Sequence, residues 1–274
     1  MKTLLCHITP DDGLPARLDA ILSLAQKYGA HILACHITPP LVSYMPYAQA
    51  YRLSDAVSKS VADEMEEKAI KVRQTFEEHW PEAGPPYEWL ERTGQPPEVL
   101  ADLAINADMT VVGLSAPDED TGEREEPMLA GDITMASGLP VLVLPDGAEA
   151  PLGKKPALIA WDRSPEAAHA VRQALPMLQS APEVVVVEFG DDAPDDLPSA
   201  GFAAFLARHG LTVDTVRLTP SETVAADILA VAHDREAELI VMGAYGHARL
   251  QEMIFGGATR ELLQQTNLPL LLCH

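Results

Sequence analysis

The chain has 274 residues, 47% of them hydrophobic, and a formal net charge of −22. This length and hydrophobic content predict two domains of ordinary size with buried cores. The strong negative charge argues against nucleic acid and membrane surfaces as partners, because both bind cationic patches.

Strands and helices alternate along the first half of the chain, which predicts a parallel sheet covered by helices on both faces. Short apolar runs predict five strands, at Leu4–Ile8, His31–Ile37, Tyr87–Arg92, Met109–Val112 and Leu139–Leu144. Apolar residues at helical spacing predict helices at Leu14–Tyr28, Leu53–Trp80 and Pro96–Asn106. The second of these helices is highly charged, so we expect a narrow apolar stripe that includes Met65, Ile70 and Val72.

The stretch Pro145–Pro156 is rich in Pro, Gly and charge, and we interpret it as a linker between residues 1–145 and 156–274. After it the same order of elements restarts. Ser164 followed by Pro165 is typical of a helix start. Further helices are predicted at Gly201–His209, Glu222–Asp234 and from Arg260, and strands at Ala157–Asp162, Val184–Phe189, Val213–Leu218, Leu239–Met242 and Leu268–Cys273.

Two segments of the first half recur in the second. Ala107–Gly113 parallels Ala237–Gly243, and Leu139–Val143 parallels Leu268–Leu272. A repeat of this size indicates duplicated domains rather than a short-period solenoid. We therefore expect an α/β protein with two tandem, doubly wound, mainly parallel five-stranded sheets and flanking helices. The halves should pack as a pseudo-symmetric dimer, with their last strands against each other.

A glycine-rich segment, Gly243–Thr259, lies between a predicted strand and a predicted helix, with glycines at 243, 246, 256 and 257. Glycine lets backbone N–H groups approach an anion closely, and a helix N-terminus adds unpaired N–H donors and a positive dipole end. A phosphate is the guest that suits this arrangement. The alternative is that the glycines serve only turns and the helix start. The segment has neither the lysine of a P-loop nor the G-x-G-x-x-G spacing of a dinucleotide site.

The G-x2-G-x9-G spacing resembles the nucleotide loop of the ATP-binding universal stress proteins. The whole chain resembles a tandem member of that family, most strongly over residues 157–273. The resemblance implies ATP bound in the second half, with magnesium held through the phosphates. It also implies a set of nucleotide-binding residues: Ala160, Trp161, Asp162, Phe189 and Met242 at the adenosine, and Gly243, Gly246, His247, Gly256, Gly257, Ala258 and Thr259 at the phosphates.

Two of these assignments have alternatives, and one position departs from the family pattern. A carboxylate at Asp162 can accept hydrogen bonds from a base amino group or a ribose hydroxyl, but it can also serve only to cap the next helix. His247, like Arg249, is either a phosphate contact or a solvated side chain. In the family, Ser or Thr usually stands where this chain has Gly257, so one hydroxyl contact is missing here.

The first half has features that predict a degenerate nucleotide site. The loop Asp118–Glu126, which follows the counterpart of Gly243, carries six acidic residues against one arginine and would repel a triphosphate. Asp132 falls at the helix start that corresponds to Gly257, where its carboxylate is expected to take the backbone N–H groups. Ile8 or Thr9 falls near the position of Asp162.

The pairs Cys6-His7 and Cys35-His36 end two strands that we expect to be neighbours, and Cys and His are metal-ligand types. Since adjacent strand residues face opposite sides, the two cysteines should share one face and the two histidines the other. Core packing is therefore favoured over a metal site. The sparse, odd number of cysteines and the absence of a cleavable signal pattern after Met1 favour a cytoplasmic protein.

The leading functional hypothesis is a cytoplasmic stress protein that binds ATP and acts by regulation or through a protein partner. No paired nucleophile and general base is evident, so no catalytic residue is assigned and no enzyme is expected. Two alternatives stay open, a nucleotide-free scaffold and a weak ATPase. A homodimer beyond the intrachain pair is also left open.

Overall fold

The computed structural model describes residues 1–40, 55–116, 124, 128–190, 198–221, 223–244 and 255–274. Five strands and four helices of the first half are β1 (Thr3–His7), α1 (Leu14–Tyr28), β2 (His31–Thr38), α2 (Asp55–His79), β3 (Tyr87–Thr93), α3 (Pro96–Ala104), β4 (Met109–Leu114), α4 (Leu129–Ser137) and β5 (Val141–Pro145). Those of the second half are β6 (Ala157–Trp161), α5 (Pro165–Leu178), β7 (Val184–Phe189), α6 (Pro198–Arg208), β8 (Val213–Leu218), α7 (Val224–Asp234), β9 (Leu239–Gly243), α8 (Phe255–Gln265) and β10 (Leu270–Cys273).

The ten strands form one continuous sheet in the order β3-β2-β1-β4-β5-β10-β9-β6-β7-β8. Within each half every pair is parallel, and the two halves join through the antiparallel pair β5–β10. The predicted pair of five-stranded, mainly parallel sheets is thus confirmed, and their last strands do meet. Leu142 pairs with Leu271, its counterpart in the sequence repeat, so a pseudo-two-fold axis passes through this residue pair.

Helices cover both faces of the sheet. The core on one face includes residues of α1, α2, α5 and α6, and the core on the other includes residues of α3, α4, α7 and α8. Central strands are buried on both sides: in β7, Val184 and Val186 lie in the first core while Val185 and Val187 lie in the second. This double burial is why these strands appear in the sequence as uninterrupted apolar runs. None of the described helices is long and apolar enough to cross a membrane.

The chain changes direction once in each half, and this creates two crevices. From β1 the chain proceeds outward through β2 to β3 and then returns to β4 on the other side of β1. The second half repeats this path with β6 and β9. In doubly wound sheets the crevice outside the carboxyl ends of the two central strands is the usual ligand site. The β1–β4 and β6–β9 edges are therefore the two places to look for function.

Helix α2 has the expected narrow stripe, but one of its predicted members is wrong. Val72 and Phe76 are buried and Met65 is half-buried, whereas Ile70 is 51% exposed. The buried stripe passes through Ala69, and Ile70 lies about 100° further around the helix from that residue. Of the predicted start of this helix, Leu53 and Ser54 lie outside the described residues.

Because β5 pairs with β10, we expect each half of the chain to depend on the other for its stability. Leu271 is fully buried at the pseudo-two-fold axis. Leu271→Ala should lower the free energy of unfolding by about 2–5 kcal/mol, because it leaves a cavity that the rigid junction fills poorly. Urea unfolding followed by circular dichroism and tryptophan fluorescence should show one transition, at lower urea than in the wild type.

Ile105→Ala is the matched control, since Ile105 is 74% exposed and its removal should change the free energy of unfolding by less than about 0.5 kcal/mol. Two well-separated transitions in the wild type, or equal effects of the two substitutions, would contradict mutual stabilisation at β5–β10.

Candidate functional site

The β6–β9 edge is formed by two neighbouring parallel strands that end side by side. Ala160 pairs with Met242, and both side chains are buried in the core beneath α7 and α8. At this edge they offer a ligand only backbone groups. Trp161 and Phe189, which end β6 and β7, are half-buried.

Asp162 lies in the turn that leads from β6 into α5, and one of its oxygens is already in use. Its Oδ1 accepts a hydrogen bond from the backbone N–H of Ser164 at 2.9 Å. Ser164 in turn caps α5, because its Oγ accepts from the N–H of Ala167 at 3.0 Å. The Oδ2 of Asp162 makes no hydrogen bond with any described residue. The turn-stabilising role of Asp162 therefore leaves one carboxylate oxygen for a ligand.

Gly243 has a structural reason to be glycine that needs no ligand. A Cβ at this position would lie 2.7 Å from the carbonyl carbon of Glu166 and would also collide with the backbone nitrogen of Ala167. The first turn of α5 therefore packs directly on the end of β9. Gly257 is the opposite case, because a Cβ there would meet no described residue within 4 Å.

Helix α8 begins at Phe255, five residues before the predicted start at Arg260. Gly256 and Gly257 consequently lie in its first turn, and Ala258 and Thr259 are its fourth and fifth residues. The N–H groups of a first turn have no acceptor within the helix and mark the positive end of its dipole. The side chains of Ala258 and Thr259 are 2% and 0% exposed and their N–H groups lie past the unpaired ones, so the glycines are the residues that can offer an anion their backbone. Gly246, His247 and Arg249 lie outside the described residues.

A buried carboxylate beside this crevice was not predicted from the sequence. Glu188 is 3% exposed, and its Oε2 lies 3.5 Å from Nη2 of Arg217 and 3.9 Å from Nη2 of Arg163. Trp161, Glu188 and Arg217 form one cross-strand row on β6, β7 and β8. Only the strand register reveals this row, because it brings together residues that are 27 and 29 positions apart in the sequence. The sequence of one strand does not show it.

Trp161 is held in place by an aromatic contact on the same face of the sheet. Its ring stacks on that of Phe202 in α6, with centroids 3.6 Å apart and planes inclined by 1°. The indole Nε1 is buried and has no hydrogen-bond partner among the described residues. Arg163, next in the turn after Asp162, has a left-handed backbone conformation (φ 65°). The residues between β6 and α5 are therefore closely constrained around the crevice.

The first half has a different arrangement at its corresponding edge. The register places Thr9 at the position of Asp162, as one of the two predicted alternatives. Arg17 of α1 lies against Gly113, where a Cβ would be 2.6 Å from the guanidinium carbon. The same guanidinium donates to Thr9 Oγ1 at 2.8 Å and Asp11 Oδ2 at 2.7 Å, and lies 3.7 Å from Asp146 Oδ1. An ion-pair cluster thus fills the space that backbone packing fills in the second half.

Two expectations about the first-half loop need correction or refinement. Asp132 is exposed in the first turn of α4, and no side chain caps that helix, so the expectation that its carboxylate accepts hydrogen bonds from the backbone N–H groups is wrong. Four residues into the helix, its side chain is past the unpaired N–H groups. Arg124, the one arginine of the acidic loop, is buried against the end of α8. The acidic residues 118–120, 123, 125 and 126 lie outside the described residues.

The predicted arrangement of the Cys-His pairs is also wrong. Cys6 pairs with Ala34 and His7 with Cys35, so His7 and Cys35 share one face while Cys6 and His36 lie on the other. The two dipeptides are offset by one residue in the parallel register, and a shift of one residue exchanges the faces. The described part of the chain contains no group of three or more His, Cys, Asp or Glu placed to hold a metal ion. Burial raises the pKa of both the Cys35 and Cys273 thiols to about 11.

The burial of His7 leads us to expect that the free energy of unfolding depends on pH. Burial, with the nearby Arg17 and His36, lowers its pKa from 6.5 to about 3. As the pH falls below 6.5 the unfolded chain gains a proton at this residue and the folded chain does not. Between pH 6 and 4 this histidine should therefore lower the free energy of unfolding by up to about 1.4 kcal/mol per pH unit.

The test is urea unfolding of the wild type and His7→Gln at pH 7, 6, 5 and 4. The difference between the two free energies of unfolding should change steadily below pH 6 in favour of the variant. His233→Gln, at an exposed position of α7, should run parallel to the wild type. A constant difference between His7→Gln and wild type across this range would disprove the depressed pKa.

Comparison with known proteins matches both halves of the chain to one family. A family model described as the universal stress protein family matches residues 1–129 and 154–274. The solved structure of a universal stress protein from Archaeoglobus fulgidus DSM 4304 has 16% identity and a TM-score of 0.70, over 99% of this chain and 95% of that one. A protein of unknown function from Pseudomonas aeruginosa PAO1 has 14% identity and a TM-score of 0.60, over 100% and 92%. At these identities the structures show a common fold. No curated protein sequence matches the chain.

Proposed function

The chain belongs to the universal stress protein family, and we propose that it is a cytoplasmic protein that binds ATP in its second half. In this proposal the nucleotide state is read by a protein partner, and ATP is a regulatory ligand rather than a substrate. The observation that carries the proposal is that β6 and β9 are neighbouring parallel strands, with Asp162 directly after the first and α8 the next described element after the second. Asp162 supplies an uncommitted carboxylate oxygen, and the first turn of α8 supplies unpaired backbone donors.

The chemistry of this crevice suits the two ends of ATP differently. The free Oδ2 of Asp162 is an acceptor for an adenine amino group or a ribose hydroxyl, and the half-buried rings of Trp161 and Phe189 offer apolar surface to a base. The first turn of α8 suits phosphate oxygens, and no described residue lies within 4 Å of a Cβ at Gly257. Magnesium would be held by the phosphates rather than by a protein cluster.

The site supports binding better than catalysis. The nearest arrangement to a nucleophile and base among the described residues is Cys273 and His169, whose Sγ and Nδ1 lie 3.5 Å apart. Burial raises the pKa of the Cys273 thiol to about 11, so it is protonated at neutral pH and a poor nucleophile. His169 Nδ1 also lies 3.0 Å from the backbone oxygen of His274. This geometry stabilises the end of β10 instead of activating the thiol.

The first experiment is calorimetric titration of the full chain with Mg-ATP. One site per chain is expected. Gly256→Val should abolish binding, because a branched side chain in the first turn of α8 blocks the backbone from the phosphates. Asp132→Gly, at the corresponding helix in the first half, should leave one site, since it removes a carboxylate that binds no helix N–H.

Three outcomes would overturn the assignment. Absence of ATP binding, together with no nucleotide in the purified protein, would favour the scaffold alternative. Two equal sites, or binding that survives Gly256→Val, would show that the second-half loop is not the phosphate site. ADP formation that is lost in Gly256→Val would make the protein an ATPase.

A second experiment uses Gly257, which stands where the family usually has Ser or Thr. The space around a Cβ here is open, so Gly257→Ser should be accommodated and should add a hydroxyl donor for a phosphate oxygen. We expect ATP to bind about three- to tenfold more tightly, the usual effect of one added hydrogen bond. Gly257→Ala controls for the added Cβ and should bind ATP like the wild type. Equal gains from Ser and Ala would show that the hydroxyl makes no contact.

A further inference from the structure

A cavity of about 350 Å³ lies at the β1–β4 edge, in the half where no nucleotide is expected. The ends of β1, β2 and β4 form its base, and α2 forms part of its wall. Its volume is in the lower range of small-molecule sites. The Arg17 cluster described above does not fill it, although Thr9 and Asp11 of that cluster line it.

His7 is the first reason to regard this cavity as a binding site. Its side chain lines the cavity and the residue is only 4% exposed, yet no described residue forms a hydrogen bond with either ring nitrogen. A neutral imidazole carries one donor and one acceptor. Since His7 lines the cavity, its ring nitrogens can be partnered from the cavity by water or by a ligand that takes the place of water.

His36 is the second reason, and it fixes the direction of one hydrogen bond. It is 6% exposed and lines the same cavity. Its Nδ1 lies 2.9 Å from the backbone oxygen of Ile8, which can only accept, so Nδ1 is the donor. In the neutral ring Nε2 is then an acceptor, and it requires an N–H or O–H from the ligand.

The charges at the cavity select against ions. Asp11 is paired with the buried Arg17 at 2.7 Å, and Lys68 of α2 is paired with Glu64 at 2.7 Å. Every formally charged side chain among the described lining residues thus has an opposite charge already in place. An ionised ligand would lose hydration without gaining a compensating charge. Ile37, Met65 and Leu129 supply apolar surface for a flat ring.

We infer that this cavity binds an uncharged, planar small molecule with an N–H donor, such as a carboxamide or a free nitrogen heterocycle. The N–H donates to Nε2 of His36, the polar end also meets His7, and the ring packs against Ile37 and Met65. This is a second site, distinct in place and ligand chemistry from the ATP site. The two halves are antiparallel at β5–β10, so the two sites open at opposite ends of the sheet.

The test uses three isosteric probes that differ in charge: benzamide is neutral, benzoate is an anion and benzamidine is a cation. The full chain is labelled with ¹⁵N in histidine, and each probe is titrated while two-bond ¹H–¹⁵N spectra are recorded. Benzamide should shift the ring signals of His7 and His36 in a saturable way. Benzoate and benzamidine should bind at least about tenfold more weakly.

Two variants separate the hydrogen bond from the cavity itself. His36→Leu removes the acceptor and should weaken benzamide binding about three- to tenfold. Met65→Trp, at a half-buried position on α2, fills the cavity without touching a polar group and should abolish the shift of the His7 signal. Gly256→Val is the control in the other half and should leave benzamide binding unchanged.

Equal affinities for the three probes, unchanged binding in Met65→Trp, or no saturable shift with benzamide would each overturn the proposal. ATP is absent from these titrations and the signals come from the first half. Failure here would therefore leave the ATP assignment standing, and failure of ATP binding would leave this one standing.

Discussion

The antiparallel pairing of β5 with β10 is the constraint on which the rest of the structure depends. Each half alone would end in an edge strand of buried apolar residues, Val141–Val143 or Leu270–Leu272, which is a hazard for aggregation. Joining these edges removes both of them at once. The outer edges of the resulting sheet, β3 and β8, are much more polar, with Glu88, Glu91 and Arg92 exposed on β3. Duplication has thus placed the apolar strands inside and the polar strands outside.

The same pairing fixes where the last helix of each half points. Because the two sets of strands run in opposite directions, the carboxyl edge of one half adjoins the amino edge of the other. Helix α8 starts at the second-half crevice and ends beside the first-half edge. There Arg124 donates to the backbone oxygens of Gln264 at 2.9 Å, of Thr266 at 2.7 Å and of Ser115. The carbonyls at a helix end lack partners and attract a cation, so Arg124 acts as the C-terminal cap of α8.

The sequence predicted the elements well wherever one strand or helix contained its own signal. The bounds of α1 and β7 were obtained without error, because a regular apolar stripe or a doubly buried run ends where the element ends. The bounds of the edge strand β8 were also obtained without error. Predictions that needed the register between strands did less well. The faces of Cys6 and Cys35 were assigned on the assumption that the two strands are aligned by their matching residues, and the actual offset of one residue reverses the result.

The candidate site shows the same division. Asp162 and the glycines of α8 could be named as candidates from the sequence because they follow a strand or open a helix. The row that contains Glu188 and the position of Arg17 against Gly113 were missed, because each depends on how separate elements approach one another. His36 and Glu188 occupy equivalent positions in the two halves, and only the strand register shows this. The net charge at a site depends on side chains from elements that are far apart in sequence, so a local sequence motif does not reveal it.

The side chains that carry charge differ between the two edges. At the second-half edge Glu188 lies between Arg163 and Arg217, and with Asp162 these four side chains sum to zero by formal count. At the first-half edge Arg17 lies between Asp11 and Asp146, a net charge of about −1 by the same count. Formal charge alone therefore does not favour an anion at the second-half edge, and the unpaired N–H groups at the start of α8 are the feature that does. The crevice recurs in both halves with different side chains around it, and this difference is the reason that we propose a different class of molecule for each.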